Sequence, residues 1–402
     1  MQIIIPMNPS ASGWIKKFGH LVAKKSTYFT DYDSLYRELK KNGFVYGVHL
    51  DIPSFIKAEH VLSEDEIAKI NLLTSLYFTL QFEKGKTSFE NFINTVFKYY
   101  QSLEVGRISF LSKILSGKQT QSQLEKLIDS RIYLGGNTFN RALGSSLTNS
   151  LLFVDVLIFR TYLQSSDDFK EHAQLLEYVT INIAYHTLNS KQSKKKDDKL
   201  IQLLDASLTY VDLDKARFDG SYLNLLEQNF TVFEKDYFLD MACLTIWEDK
   251  SVDYTESEYI FGLGTHLGKT KKEVGEALEF VKNFFEKNKE KITYLNDKNL
   301  AVQFYDGMSK NVSKLILRNS KRLKKELEES RELMTLLSKS TVKDLTEEEK
   351  KKVQNQLVDI FKSIPSLAIF MLPGGAVLLP IFIKLIPKLL PSAFDDNRIE
   401  EN

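Results

Sequence analysis

Six histidines, one cysteine and one acidic loop are the side chains with which this chain could do chemistry. The histidines, His20, His49, His60, His172, His186 and His266, are scattered. No His-x-x-x-His or His-Glu-x-x-His pair places two metal ligands on one helix face. Cys243 stands inside an apolar run, where no cation lowers a thiol's pKa, and is expected in the core. The acidic loop has the one spacing that invites a test. Asp249, Ser251, Asp253, Thr255 and Ser257 fall at positions 1, 3, 5, 7 and 9 of an EF-hand loop, but Tyr254 stands where the turn needs Gly and Ile260 where the bidentate Glu belongs. Asp249, Asp253 and Glu256 therefore remain candidate ligands for a divalent cation, against the alternative of a solvated helix-cap loop. Gly135-Gly136-Asn137 lacks the phosphate-binding spacing, and Gly262, Gly264 and Gly268 miss the dinucleotide one. No catalytic constellation results, no cofactor is expected, and the chain is not expected to be an enzyme.

The elements that would carry these residues read as helices. Gly at 18 and Pro at 8 of 402 residues stand at about half of average usage, and both interrupt helices. Hydrophobic residues at 43% suffice for packed cores. The net charge of +1 gives no global field for nucleic acid, so DNA is not expected as a partner. A single cysteine suits a reducing compartment, and the start Met1-Gln-Ile-Ile-Ile-Pro6 does not read as a secretory signal.

The expected class is all-α, a soluble multi-helix body followed by a Pro-rich membrane helix or helix pair. Residues 1–55 form a mixed start, with helical patterns near Ser12 to Lys25 and Asp31 to Lys41, then Gly43 to Leu50 as a short strand or extended arm. Residues 56–170 form a helical region opened by the capping box Ser63-Glu-Asp-Glu66. Within it, Leu151 to Phe159 reads as a buried core helix interrupted by Asp155. Residues 171–300 hold a faint repeat at an offset of 59, Tyr178 to Leu188 matching Tyr237 to Trp247 in layout. Residues 301–345 carry one long charged helix from Asn311 to Ser340 with apolar positions Val312, Ile316, Leu323, Leu327, Met334 and Leu337. It either packs on its own domain or makes a coiled-coil contact. Thr346-Glu-Glu-Glu349 then caps a helix with apolar face Val353, Leu357, Ile360 and Ile364, opening the segment 346–396 ahead of a tail at 397–402.

That segment holds the one membrane candidate. Ile364 to Ile383 carries no charge over 20 residues, about 30 Å of helix and enough for a bilayer core. Eleven Leu, Ile, Val or Phe residues favour insertion by roughly 3 to 7 kcal/mol. Pro365, Pro373, Pro380, Gly374 and Gly375 oppose a regular helix. Spanning, re-entrant or interfacial placement, and burial against the body are the alternatives. Pro365, Pro373, Pro380 and Pro387 are spaced 8, 7 and 7 apart, near one helix face, and Pro391 follows.

Phe361-Lys-Ser-Ile-Pro365, Phe370-Met-Leu-Pro373, Leu378-Leu-Pro380 and Lys384-Leu-Ile-Pro387-Lys-Leu-Leu-Pro391-Ser-Ala-Phe394 resemble the transmembrane signature of the Letm family, leucine-zipper and EF-hand proteins of the mitochondrial inner membrane. The whole chain is similar to bacterial Letm-related proteins, some labelled biofilm-associated. The resemblance implies a membrane-associated protein, its body in the cytosol, with a role in membrane organisation or cation homeostasis. It implies architectural roles for Pro365, Pro373, Gly374, Gly375, Pro380, Lys384, Pro387, Pro391 and Phe394. Membrane lipid, a second copy or another protein are the expected partners, with the ribosome implied by the family alone. Where the family has a Glu in the membrane segment this chain has Ala376, which weakens cation exchange. The second repeat unit, about 234–268, also resembles the helical module of TerB-type tellurite-resistance proteins, with Asp240, Glu248, Asp249, Asp253 and Glu256 in the acidic positions, but without that family's Asp-Gly. The alternatives are a cytoplasmic scaffold whose apolar tail is buried or docked on a partner, and a TerB-like ion or ligand sensor.

Overall fold

The computed structural model describes residues 7–58, 60–103, 120–132, 144–165, 169–190, 202, 204, 221–228, 230–247, 254–292, 309, 312–313, 315–343, 345–364, 367, 370 and 378–391. Among the described residues there are helices and no strand. One isolated parallel bridge joins Met7 to Ala58. The helices of the first part are α1 Trp14–Lys24, α2 Tyr32–Lys41, α3 Glu64–Lys84, α4 Phe89–Ser102, α5 Gln121–Ile132, α6 Gly144–Gln164, α7 Phe169–Ser190, α8 Tyr222–Gln228, α9 Val232–Ile246, α10 Tyr254–His266 and α11 Lys271–Asn288.

Their starts are set by side chains that take the orphan N–H groups of the first turn. Asp31, Ser63, Thr231 and Thr270 form capping boxes with Ser34, Glu66, Glu234 and Glu273, and Ser88 caps α4. The sequence expectation of a capping box at Ser63 is met. Gly43 to Leu50, expected as a strand or arm, instead turns tightly through residues 43–47. Gly43 has φ of 82° and a Cβ there would lie 2.0 Å from the Val48 carbonyl oxygen, so only glycine allows Val48 N–H to bond back to the Gly43 carbonyl.

Four helices make the interior. α3 packs on α6, α6 on α7, and α7 on α9. α3 is buried around its whole circumference from Ile70 to Leu80, as is α6 from Leu152 to Phe159. Each fully buried Leu or Phe here contributes about 1.5–3 kcal/mol. The outer helices cover this row: α2, α4 and α5 lie on α3, α1 on α5, and α10 and α11 on α9. The first helices of the two repeat-like units, α7 and α9, pack against each other. Cys243 is buried as expected, and burial together with Asp240 pushes its thiol pKa well up.

Asp155 and Asp240 lie inside this apolar interior, and each gathers donors from more than one part of the chain. Asp155, fully buried on α6, takes Arg131 of α5 through two bonds, Nε at 2.5 Å and Nη2 at 2.9 Å. The Tyr100 hydroxyl of α4 donates to the same carboxylate at 2.9 Å, and Tyr99 donates to the Asp155 backbone carbonyl. Burial opposes the Arg131 charge, yet Asp155 holds its pKa above the ordinary value. Asp240 on α9 accepts from Tyr36 at 2.6 Å, from Tyr46 at 3.1 Å and from Lys40 Nζ at 2.9 Å. Burial and the Asp240 charge push both phenol pKa values well up. Lys40 also lies 4.6 Å from the Phe280 ring of α11.

His172 of α7 pairs with Glu234 at 2.6 Å, the same Glu that closes the Thr231 box of α9. Arg160 of α6 binds Glu83 of α3 at 2.5 Å while lying over the Tyr32 and Phe233 rings.

Breaking a buried pair on one side leaves a charge uncompensated. Arg131→Met is expected to destabilise the body by about 3–5 kcal/mol, and Arg131→Met with Asp155→Leu to cost less than the single change. Denaturant melts of the two variants check the order. His49 gives a second expectation, because it is buried with neither ring nitrogen hydrogen-bonded, and burial lowers its pKa from 6.5 to about 3. The unfolded chain takes up this proton as pH falls below about 6.5 and the folded chain does not until about 3, so stability is lost on acidification through that window. At pH 5 this one group costs about 2 kcal/mol. The melting temperature of His49→Gln should therefore fall less than the parent's between pH 7 and pH 5, and parallel curves would remove His49 from the account.

Candidate docking site in the carboxyl-terminal unit

The remaining helices are α12 Ser320–Glu328, α13 Arg331–Lys339, α14 Glu347–Ser363 and α15 Leu379–Leu389. Their extensive packing is among themselves: α12 on α13, α13 on α14, and α15 on α13. The single helix expected from Asn311 to Ser340 is thus corrected. Its ladder continues across Asn319, which donates to the Leu315 carbonyl and accepts from Leu323 N–H. It stops at Ser330, whose side chain takes the Leu333 N–H and caps α13. The apolar positions read from the sequence, Val312, Ile316, Leu323, Leu327, Met334 and Leu337, are all buried within this chain.

A row of polar contacts fixes α13 and α14 as an antiparallel pair. Ser330 donates to Gln356 at 2.6 Å, Lys352 and Gln356 both reach Glu332 at 2.9 Å, and Lys339 pairs with Glu349 at 2.5 Å. Rising numbers on one helix meet falling numbers on the other. The Lys352 bond lowers the pKa of Glu332, and Lys339 lowers that of Glu349. These exposed pairs fix register more than they add stability. Glu349 has a second role, since its other oxygen accepts Thr346 N–H at 2.9 Å in the capping box expected there. Beneath the polar row, Leu333, Met334 and Leu337 and the expected face Val353, Leu357, Ile360 and Ile364 are buried.

α15 closes this hairpin with its own apolar face. Leu379, Ile381, Phe382, Ile383 and Ile386 are buried. Phe382 lies 5.1 Å from the Phe361 ring and 4.7 Å from Phe370, which stand 4.7 Å from each other. The sequence signature contained Phe361 and Phe370 without showing that they meet each other and Phe382 of the next helix.

The expected architectural residues divide. Pro365, Pro373, Gly374, Gly375 and Phe394 lie outside the described residues, as does Ala376. Pro380 is buried in the first turn of α15, where a helix needs no proline N–H. Pro387 is inside the helix, so the Ile383 carbonyl receives no helical N–H from it. Lys384, Lys388 and Pro391 are exposed and Pro387 half-exposed. Lys384, Pro387 and Lys388, at i, i+3 and i+4, share the outer face of α15, and Pro391 follows just past its non-helical end at Leu390. Of the candidate cation ligands, Asp249 and Asp253 lie outside the described residues, and Glu256 is placed on α10 by its backbone. Among the described residues no group of His, Cys, Asp and Glu is arranged to hold a metal.

Among the described residues no helix is long and apolar enough to cross a membrane. α15 spans 11 residues, about 16 Å, roughly half a bilayer core, and carries Lys384 in its middle. Since Phe382 joins α15 to α14, Phe382→Ala is expected to destabilise the carboxyl-terminal unit by about 3–5 kcal/mol. Hydrogen exchange should speed up across α13 to α15 while α3 and α6 keep their protection, and a loss under 1 kcal/mol would mean that the ring is not a core contact.

No curated protein and no solved structure matches this chain. Residues 345–402 match the family model described as LETM1-like, RBD. The match begins just ahead of the Thr346 cap, takes in α14 and α15, and includes the outer lysine and proline face. From residue 345 onward, therefore, the chain carries a Letm-family signature.

Proposed function

We propose that the protein is a non-catalytic docking protein of Letm type, in which the helical body supports a carboxyl-terminal unit that binds a ribosome through the outer face of α15. The observation that carries this reading is the burial of the apolar side of α15 on α13 and α14, which leaves Lys384, Pro387, Lys388 and Pro391 outside. An exposed pair of lysines one turn apart suits an anionic particle. Neighbouring prolines hold the backbone of that face in a fixed shape. The family description, in which RBD denotes a ribosome-binding domain, supports the choice of partner.

A second reading, membrane association, draws on the uncharged run Ile364 to Ile383. It requires the apolar side of α15 to leave Phe361 and enter lipid, and with Ala376 in place of an acid it supplies an anchor more readily than an ion path. A role in membrane organisation or cation homeostasis belongs to this reading. No observation favours ion sensing by the acidic loop.

The full chain is expected to pellet with ribosomes through a sucrose cushion, and Lys384→Glu with Lys388→Glu to lower the bound fraction at least about fivefold, since each reversal replaces attraction by repulsion. A parent chain that stays in the supernatant ends the docking reading. Alkaline carbonate extraction separates the second reading: the docking protein washes off membranes, and a chain that resists extraction is anchored.

A further inference from the structure

Between Asp306 and Glu326 the sequence has seven lysines and arginines and no acidic residue. Four of them, Arg318, Lys321, Arg322 and Lys325, recur at i, i+3, i+4 and i+7 on α12 and the helical turn before it, and all four are exposed. In the sequence the same four-residue step continues back through Lys314 and Lys310. On the opposite face Val312, Ile316, Leu323 and Leu327 are fully buried. Like charges three and four residues apart destabilise a helix. Glu326 and Glu329, four residues after Arg322 and Lys325, offset part of that repulsion.

A basic amphipathic helix commonly serves a membrane surface or a partner's groove, and both uses consume its apolar face. Here that face is already buried, with α12 packed on α13, so the outer face offers charge. Leu317, exposed beside the stripe, is too little apolar surface for insertion into lipid. The stripe is also short and narrow, about 10 Å from Arg318 to Lys325, with Glu326, Glu328 and Glu329 directly after it. A broad anionic sheet would meet those acids together with the cations, whereas a single phosphate strand can lie along the stripe alone.

We propose that Arg318, Lys321, Arg322 and Lys325 seat the phosphate backbone of an RNA. The arginines reach phosphate oxygens with paired N–H donors and the lysines act as compact point charges. No base edge is read by such a seat, so binding depends on backbone charge and is independent of sequence. The seat lies outside residues 345–402. It names the chemistry of one contact within the ribosome reading above, on which it rests.

The test titrates the full chain into a labelled RNA hairpin by fluorescence anisotropy over about 50 to 200 mM salt. The variant Arg318→Gln, Lys321→Gln, Arg322→Gln, Lys325→Gln is expected to lose at least about tenfold in affinity. The slope of log affinity against log salt should become shallower by about 3, at roughly 0.7 per phosphate contact. Arg318→Lys with Arg322→Lys should retain most of the binding, and the melting temperature of the fourfold variant should not fall. Vesicles of phosphatidylcholine with phosphatidylglycerol should not take up the parent chain. The proposal is overturned if the parent fails to bind RNA at low salt, if the fourfold variant keeps the parent's affinity and slope, or if the vesicles bind the chain and RNA does not. A chain that pellets with ribosomes without binding RNA overturns this seat and leaves docking by α15 standing. A chain that binds RNA through these four residues without pelleting keeps the seat and ends the docking reading.

Discussion

A carboxylate in an apolar interior must be met by donors, and Asp155 imposes this requirement on two neighbouring helices at once. Its side chain lies where water cannot reach, so α5 must bring Arg131 and α4 must bring Tyr100 to within hydrogen-bond distance. The helix that carries Asp155 is also the partner of α3 and α7. The position of one charge thereby constrains the central row and its cover together. Asp240 does the same on the other side of α9 by taking donors from α2 and from the turn at Tyr46. An all-apolar core could slide by a helical turn at modest cost, whereas donors at fixed distances allow one register.

The carboxyl-terminal unit solves its register differently. Its pins are exposed, Lys339 to Glu349 and Lys352 to Glu332, while its depth is aromatic, Phe361, Phe370 and Phe382. Screened ion pairs direct pairing without adding much stability. Holding α15 in place falls to the rings and the aliphatic residues around them. This division leaves Lys384 and Lys388 of α15 exposed, with Pro387 half-exposed between them.

Local signals in the sequence were legible and through-space ones were not. The boxes at Ser63 and Thr346, the buried run around Asp155, the core position of Cys243 and the apolar faces of α12 to α14 all follow from residues within a few positions of one another. Arg131 lies 24 residues from Asp155, and Tyr36 lies 204 from Asp240, so no spacing rule could pair them. The Thr231 and Thr270 boxes carry the same local signal. The break at Ser330 was hidden because the apolar periodicity runs on through it, and the cap that makes the break needs the fold to place Ser330 between Leu333 and Gln356. At the docking site the proline spacing suggested a shared face, and for Pro380 and Pro387 the fold divides that face into a buried and an outward position. The turn at Gly43 resisted a reading because alternation in so short a run mimics a strand.

The order of the helices along the chain gives the closure by α15 a meaning in time. A ribosome making this protein completes α13 about fifty residues before it completes α15, an interval of roughly 3 to 10 s at about 5–20 residues per second. Throughout that interval α13 lacks its contact with α15. The unit therefore takes its final packing only after α15 has been made, however early α13 and α14 form.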